Sequence, residues 1–197
     1  MPRRTAEDAE QTRLAIVKTA RAQFATLGYE EVTLDAVAEA ANLTRGAVYH
    51  HFGGKAGLFR AVLEQILHEQ GEHILAAAER EPGAFEGLEA GCHRFIEFAQ
   101  RPEYVQIALI DAPAVLGITA WQELDDAATT SHLREGLREL FEGRSQTDVE
   151  ALAQSLSGAM NQIALWAATA GPQKEAKALA RAKDAVSVLL SGLRGAV

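Results

Sequence analysis

Residues 34–52 read LDAVAEAANLTRGAVYHHF, and the order of small, polar and apolar residues in this stretch decides the fold. Thr33 stands directly before it and Thr44 inside it, each where a side-chain oxygen would cap the free backbone N–H groups that open a helix. The two caps predict short helices over 34–41 and 45–51. Between them lies Asn42, one of the few residues besides glycine that enters the left-handed conformation a tight turn needs. Ala38 falls where two helices so closely joined must cross and a larger side chain would force them apart, while Leu43 and Val48 close the small core beneath. This is the anatomy of a helix-turn-helix. The outward face of its second helix is polar, with Thr44, Arg45, Gly46, Tyr49 and His50 available for a major groove. An arginine at 45 suits a guanine edge through two hydrogen bonds, and the missing side chain at Gly46 lets backbone approach bases. Tyr49, His50 and Lys55 suit phosphate oxygens, whereas His51 and Phe52 are read as packing residues.

Upstream, Leu14, Val17, Phe24 and Leu27 keep helical spacing and Gly28 follows as a C-cap, which predicts a helix over 7–27 with Arg13, Lys18 and Arg21 off its apolar stripe. Arg3, Arg4 and Arg13 either reach phosphates or a minor groove, or belong to a solvated tail. Downstream of Gly53-Gly54, which the reading takes only to loosen the junction, Leu58, Phe59, Val62, Ile66 and Leu67 predict a long helix over 55–80. Pro82-Gly83, Pro102, Pro113, Gly143 and Gly171-Pro172 then punctuate the chain into helices near 84–100, 103–111, 119–142, 147–170 and 173–194. The last two carry apolar stripes, Leu152, Leu156, Met160 and Ile163 on one and Leu179, Ala182, Val186, Leu189, Leu190 and Leu193 on the other. Two such helices pair with a second copy as a four-helix bundle, so a homodimer through the last two helices is expected.

Composition agrees with an all-α fold. Of 197 residues 48% are hydrophobic, enough for a core, and aromatics are only 6%, which argues against a sheet sandwich. The single cysteine, Cys92, forms no intrachain disulfide, and no Cys/His spacing suits zinc, so neither a metal nor a cofactor is expected. The opening MPRRTAEDAEQT is polar, and no later run approaches the roughly 18 apolar residues of a spanning helix, which predicts a cytoplasmic chain without a membrane partner. The net charge of -8 counts by itself against nucleic acid, yet residues 1–60 hold 8 Lys/Arg against 7 Asp/Glu while residues 61–197 hold 11 against 20. A near-neutral first third joined to an acidic remainder points to two parts with different partners.

The residues from Ile16 through Phe24, Gly28-Tyr29, Thr33-Leu34 and Tyr49-His50-His51-Phe52 to Lys55, Leu58 and Phe59 resemble the N-terminal DNA-binding domain of the TetR family of bacterial transcriptional regulators. The resemblance covers about residues 12–60 and places Thr33, Thr44, Arg45, Gly46, Tyr49, His50 and Lys55 where that family touches operator DNA. Two departures stand out, Asn42 where glycine is frequent and Gly53-Gly54 where proline or serine is frequent before the lysine. The resemblance further implies a homodimer and a ligand-responsive repressor, with an N-terminal three-helix domain over 1–54 and a larger helical ligand-binding and dimerisation domain over 55–197. The segment LIDAPAVLGITAWQELD, residues 109–125, is similar to one seen in a subgroup of these regulators and names no ligand.

Candidates for the ligand site come from the middle and later helices: His93, Phe95, Glu97, Phe98, Tyr104, Ile107, Asp111, Trp121, Asn161 and Trp166. Glu97, Asp111 and Asn161 must find partners if buried, either in a cap or interhelical hydrogen bond or in a ligand, and Asp111 before Ala112-Pro113 is placed to cap. An enzyme is not expected. Cys92 and His93 point about 100° apart on a helix, and HEQGEH at 68–73 brings its second histidine one residue too late for a zinc-binding HExxH. His68 and Glu72, at i,i+4, either hold a metal or pair in solvent. An architectural DNA binder without ligand response, and a helical enzyme or carrier, are the other classes to separate from the regulator.

Overall fold

Ile16, Val17, Ala20 and Phe24 are the buried face of the first helix, α1 (Ala6–Glu31). The structure, a computed structural model, describes residues 6–142, 148–171 and 173–194. Arg3, Arg4, Gly143 and Pro172, singled out above, lie outside them. The expected stripe on α1 is corrected: Val17 and Phe24 are buried, but Leu14 and Leu27 are 52% and 55% exposed. Leu14 stands about 60° outside the buried arc, and Leu27 falls in the last turn before a break. That break is Gly28, with φ 75° and ψ 167°, a backbone conformation natural only to glycine. The Tyr29 N–H beyond it donates to Asp111 Oδ2 at 2.8 Å, so a residue 82 positions later caps the interruption.

The helix-turn-helix forms as its caps require. Thr33 accepts from the Ala36 N–H and opens α2 (Leu34–Ala40), while Thr44 accepts from the Ala47 N–H and opens α3 (Arg45–Phe52), both at 3.2 Å. Asn42 is left-handed at φ 55°, and the Leu43 N–H donates to the Ala38 carbonyl at 2.8 Å, which locks the turn. Ala38 and Val48 are buried between the helices. Gly53 and Gly54, at φ 70° and 145°, do not loosen the next junction; both use positive φ to end α3 and start α4 (Lys55–Ala78). This 24-residue helix spans about 36 Å and buries Leu58, Phe59, Val62, Ile66 and Leu67 as expected.

Past the turn at Pro82-Gly83, α5 (Ala84–Phe98) lies along α4. The next helix does not stop before Pro113. It winds on through α6 (Pro102–Tyr104), a π turn at Val105–Asp111 and α7 (Ala112–Leu116), with Pro113 in the first turn of α7. A proline lacks the N–H its helix would use and presses on the carbonyl four residues back, and the wider π turn accommodates both. The single helix expected over 119–142 likewise contains a π turn, Asp126–Thr130, between α8 (Ile118–Asp125) and α9 (Ser131–Leu140). Asp148 caps α10 (Val149–Ala168), and α11 (Glu175–Arg194) follows.

Helices α10 and α11 pack on each other and on α5, burying Ala153, Met160, Ala164 and Ala167 from one and Ala178, Ala182, Val186 and Leu190 from the other. Alanine at these positions allows close approach. The stripes read from the sequence are therefore divided: Met160, Ala182, Val186 and Leu190 face inward, while Leu189 is 51% exposed. Trp166 and Val188 stand outside with it, at 41% and 70%. The described residues hold no strand, and no helix among them is long and apolar enough to cross a membrane.

Candidate functional site

Helix α3 buries Val48 completely and turns the opposite face outward. Thr44, Arg45, Gly46, Tyr49 and His50 are all exposed, Tyr49 by 60%. A Cβ added at Gly46 would meet only Thr44 Oγ1, at 3.9 Å, so nothing inside the protein demands a glycine there. Arg45 Nη1 lies 3.1 Å from Asp35 Oδ2, an ion pair with both side chains about two-thirds exposed, and Asp35 is a partner the sequence reading did not name. Thr33 is exposed at the cap of α2, with its hydroxyl oxygen engaged by the Ala36 N–H. His51 and Phe52 are half-buried, Phe52 packing on the core beneath the Arg13 guanidinium, which is 5.7 Å from its ring.

Lys55 is held rather than free. Its Nζ donates to the Glu30 carbonyl at 3.0 Å and sits 4.3 Å from the centre of the Tyr29 ring. Tyr29 in turn stacks on Phe24 and meets Phe59 edge-on at 5.1 Å. The break at Gly28 thus turns an aromatic ring into the crossing of α1 and α4, and the ring seats the lysine at the start of α4 with ammonium donors to spare.

Where α1 meets the rest of the chain, Arg21 joins three helices. It bonds Glu69 of α4 at 2.6 and 2.9 Å and Glu103 of α6 at 2.6 and 3.0 Å. Burial opposes the Arg21 charge, but the hydrogen bonds to Glu103 and Glu69 outweigh it and raise its pKa. Those from Arg21 hold the Glu103 carboxyl below its usual range.

A cavity of about 330 Å³ lies between the end of α4, most of the length of α5, the second π turn, α9 and α10. Ile74, Leu88, Cys92, Phe95 and Met160 form its buried wall, and Thr129, Thr130 and Ser157 its deep end. Glycines bring the helices close here: a Cβ at Gly87 would lie 3.1 Å from the Ala78 carbonyl, and one at Gly91 3.3 Å from Ile74 Cγ2. Behind the deep end is Asp125, 5% exposed, accepting from Thr129 at 2.8 Å, Ser157 at 3.1 Å, and Thr130 and Asn161 at 3.4 Å. Burial pushes its pKa up, and the four donors hold the rise in check. Burial also pushes the Cys92 thiol up to about 12, the behaviour of a packed thiol.

Of the ligand candidates read from the sequence, Phe95 lines this cavity; His93, Glu97, Phe98, Tyr104, Asp111, Trp121, Asn161 and Trp166 do not. Most have found partners within the protein. His93 Nε2 is 2.9 Å from Ser187 Oγ, and Glu97 accepts from Lys183 at 2.7 Å and Arg94 at 3.3 Å, the lysine chiefly holding its carboxyl below the usual range. Phe98 and Tyr104 are buried edge-to-face, with the Arg101 guanidinium 4.0 Å from the Phe98 ring. Ile107 is core and Trp121 packs against it. Asp111, expected from sequence as a cap, does not cap the helix that follows it; its carboxylate accepts from the Tyr29 N–H and from Gln106. Asn161 donates to Asp125, and Trp166 lies exposed beneath Arg181. His68 and Glu72 are an exposed pair at 3.6 Å, and no metal-holding group of side chains occurs among the described residues. Gly87, Gly91 and the Thr129-Thr130 pair were not singled out from sequence, although Gly87 and Gly91 continue a four-residue spacing from Gly83.

An exposed recognition helix on a three-helix unit, joined through one long helix to a second helical unit that contains a cavity, defines a two-part helix-turn-helix protein. Residues 16–62 match the family described as bacterial regulatory proteins, tetR family, and residues 85–193 the tetracyclin repressor-like C-terminal domain. The chain belongs to the TetR family, a family of DNA-binding regulators and not of enzymes. The HTH-type transcriptional repressor AcnR of Corynebacterium jeikeium is 32% identical over 178 residues, 87% of this chain and 91% of that one. The HTH-type transcriptional regulator TtgR of Pseudomonas putida is 44% identical over 81 residues, a match that spans 41% of this chain and only 38% of that relative's length. A TetR-family transcriptional regulator from Pectobacterium atrosepticum has the same fold, with TM-score 0.76 and 34% identity over 96% of this chain and 97% of that one.

Proposed function

We propose that the chain is a transcriptional repressor that leaves its operator when a small molecule fills the cavity beside α4. Residues 1–54 act as the DNA-binding part, and residues 55–197 bind the effector and form a homodimer. The reading rests on the face of α3, exposed and polar from Thr44 to His50 around a glycine the protein itself does not require. Arg45 reads a guanine edge; an exposed pair such as that with Asp35 is worth at most about 1 kcal/mol, so the guanidinium exchanges partners at little cost. Thr33, Thr44, Tyr49, His50 and Lys55 contact phosphates, and Gly46 admits the backbone.

Arg45→Ala is expected to lower operator affinity by about ten- to a hundredfold while binding to random DNA and thermal stability hold. Fluorescence anisotropy with an operator selected from random-sequence DNA measures this, and an unchanged affinity removes Arg45 from base readout.

The exposed Trp166, Val188 and Leu189 on α10 and α11 supply the dimer face, as regulators of this family typically act as dimers. Recognition helices about 34–36 Å apart then enter successive major grooves. The double substitution Val188→Glu, Leu189→Arg is expected to give folded monomers with little operator affinity, read by light scattering. A surviving dimer would place the interface elsewhere.

Helix α4 links the two ends: it starts beside α3, and its Ile74, Leu75 and Ala78 line the cavity. A ligand that wedges this end shifts the population toward a wrong spacing of the recognition helices, and a hundredfold loss of affinity corresponds to about 2.7 kcal/mol of coupling. The site of action is the cytoplasm, where operator DNA is found, and no membrane or cofactor takes part.

A further inference from the structure

The cavity has two chemically different ends. At the deep end the hydroxyl protons are already engaged: Thr129 and Ser157 donate to Asp125 at 2.8 and 3.1 Å, and Thr130 lies 3.0 Å from Ser157 Oγ and 3.4 Å from Asp125. A ligand acceptor there would have to displace a bond already made, whereas the apolar wall beside it takes hydrocarbon. At the other end, Glu79 and Glu81 from the α4–α5 turn and Glu135 and Glu139 from α9 line the cavity and are exposed. None of the four forms an ion pair with a described residue, and no lysine or arginine lines the cavity. His132 does, but its Nε2 lies against α4 at Gly71.

The geometry points to an amphiphilic cation as the ligand, an alkyl or aryl ammonium whose apolar part fills the cavity and whose charged head stays at the mouth among these four carboxylates. The assignment rests on the reading of the cavity as the effector site and adds its chemistry. Four like charges around one opening raise the local concentration of cations and repel anions, so a carboxylate or phosphate ligand is disfavoured before it enters. Because the heads are exposed, the preference for a cation weakens as salt rises and the Debye length shrinks to a few ångströms.

The test titrates the full-length protein by calorimetry with three probes of equal chain length, decyltrimethylammonium, decanoate and decanol, each below the concentration at which it aggregates. The cation is expected to bind at least tenfold tighter than the other two, about 1.4 kcal/mol, with an advantage that falls at high salt. The double variants Glu79→Gln, Glu81→Gln and Glu135→Gln, Glu139→Gln are each expected to shrink the advantage while decanol binding, a check that the cavity is intact, stays the same. Equal or tighter binding of decanoate or decanol, or an advantage unchanged in both variants, overturns the assignment. Anisotropy on operator DNA is run in parallel. Failure of the ligand-free protein to bind operator overturns the regulator reading, whereas tight binding of the cation without release of DNA upholds the cavity's chemistry and removes its role as effector site.

Discussion

Replacing Gly46 with leucine is expected to abolish specific DNA binding in a protein that is as stable as before or more so. Space inside the protein permits the change, since the new Cβ would meet only Thr44 Oγ1 at an ordinary 3.9 Å. Helix propensity favours it by up to about 1 kcal/mol, because glycine forfeits more backbone entropy than leucine in a helix. The outward direction is where the cost falls. Gly46 lies between Arg45 and the exposed Tyr49 in the helix proposed to enter the groove, and a leucine there is expected to hold that helix off the bases by the depth of its own side chain. At least a hundredfold of operator affinity, about 2.7 kcal/mol, is expected to go, with Gly46→Ala losing less. Salt-dependent binding to random DNA through phosphates should survive. Thermal unfolding and anisotropy on the same preparation measure both sides; unaltered operator affinity in the leucine variant would show that backbone does not approach DNA at this position.

The placement of Gly46 on the exposed face of α3 was legible because the caps that set this helix are local. The same holds for Thr33, Thr44 and Asn42, whose caps and turn depend on neighbours within four residues. Gly28 was legible as a stop, but not the partner that completes it, since Asp111 arrives from 82 positions away. The ligand candidates show the limit most clearly. Glu97 and Asn161 were singled out as polar residues on apolar helices; Lys183 pairs with Glu97 and Asp125 accepts from the Asn161 amide at 3.4 Å, both across helix contacts that no local pattern announces, while Asn161 Oδ1 stays buried with no partner among the described residues. The cavity lies instead beside the close approach of α4 and α5 that Gly87 and Gly91 permit, and beside a π turn that presents Thr129 and Thr130 together. Pro113 misled for a related reason: a proline ends a regular α-helix, but a π turn just before it lets the helical path continue.

Arg21→Met should produce the largest loss of stability of any single surface-facing substitution at the junction of the two parts, because one side chain ties α1 to α4 and α6. The methionine keeps the apolar stem and removes four charged hydrogen bonds. Arg21 is 15% exposed while Glu69 and Glu103 are 31% and 30% exposed, so water takes up part of what the carboxylates lose. A fully buried pair broken on one side costs about 3–5 kcal/mol, and partial exposure reduces this to about 2 kcal/mol. For a chain of this length that is a fall of about 4–8 °C in thermal midpoint. The pH dependence identifies the cause. Arg21 holds the Glu103 carboxyl below its usual range in the folded state, so the contribution is complete above the ordinary carboxylate pKa and is lost as pH falls through the lowered one. The gap between wild type and Arg21→Met should therefore be widest near neutral pH and narrow on acidification, and Glu103→Gln should reproduce part of that narrowing. A gap that stays constant with pH would show that packing of the arginine stem, and not its charge, joins the helices. Since these bonds are among the contacts through which α4 and α6 reach α1, the variant should also lose part of the proposed coupling between cavity and recognition helix, seen as a smaller ligand-induced drop in operator affinity.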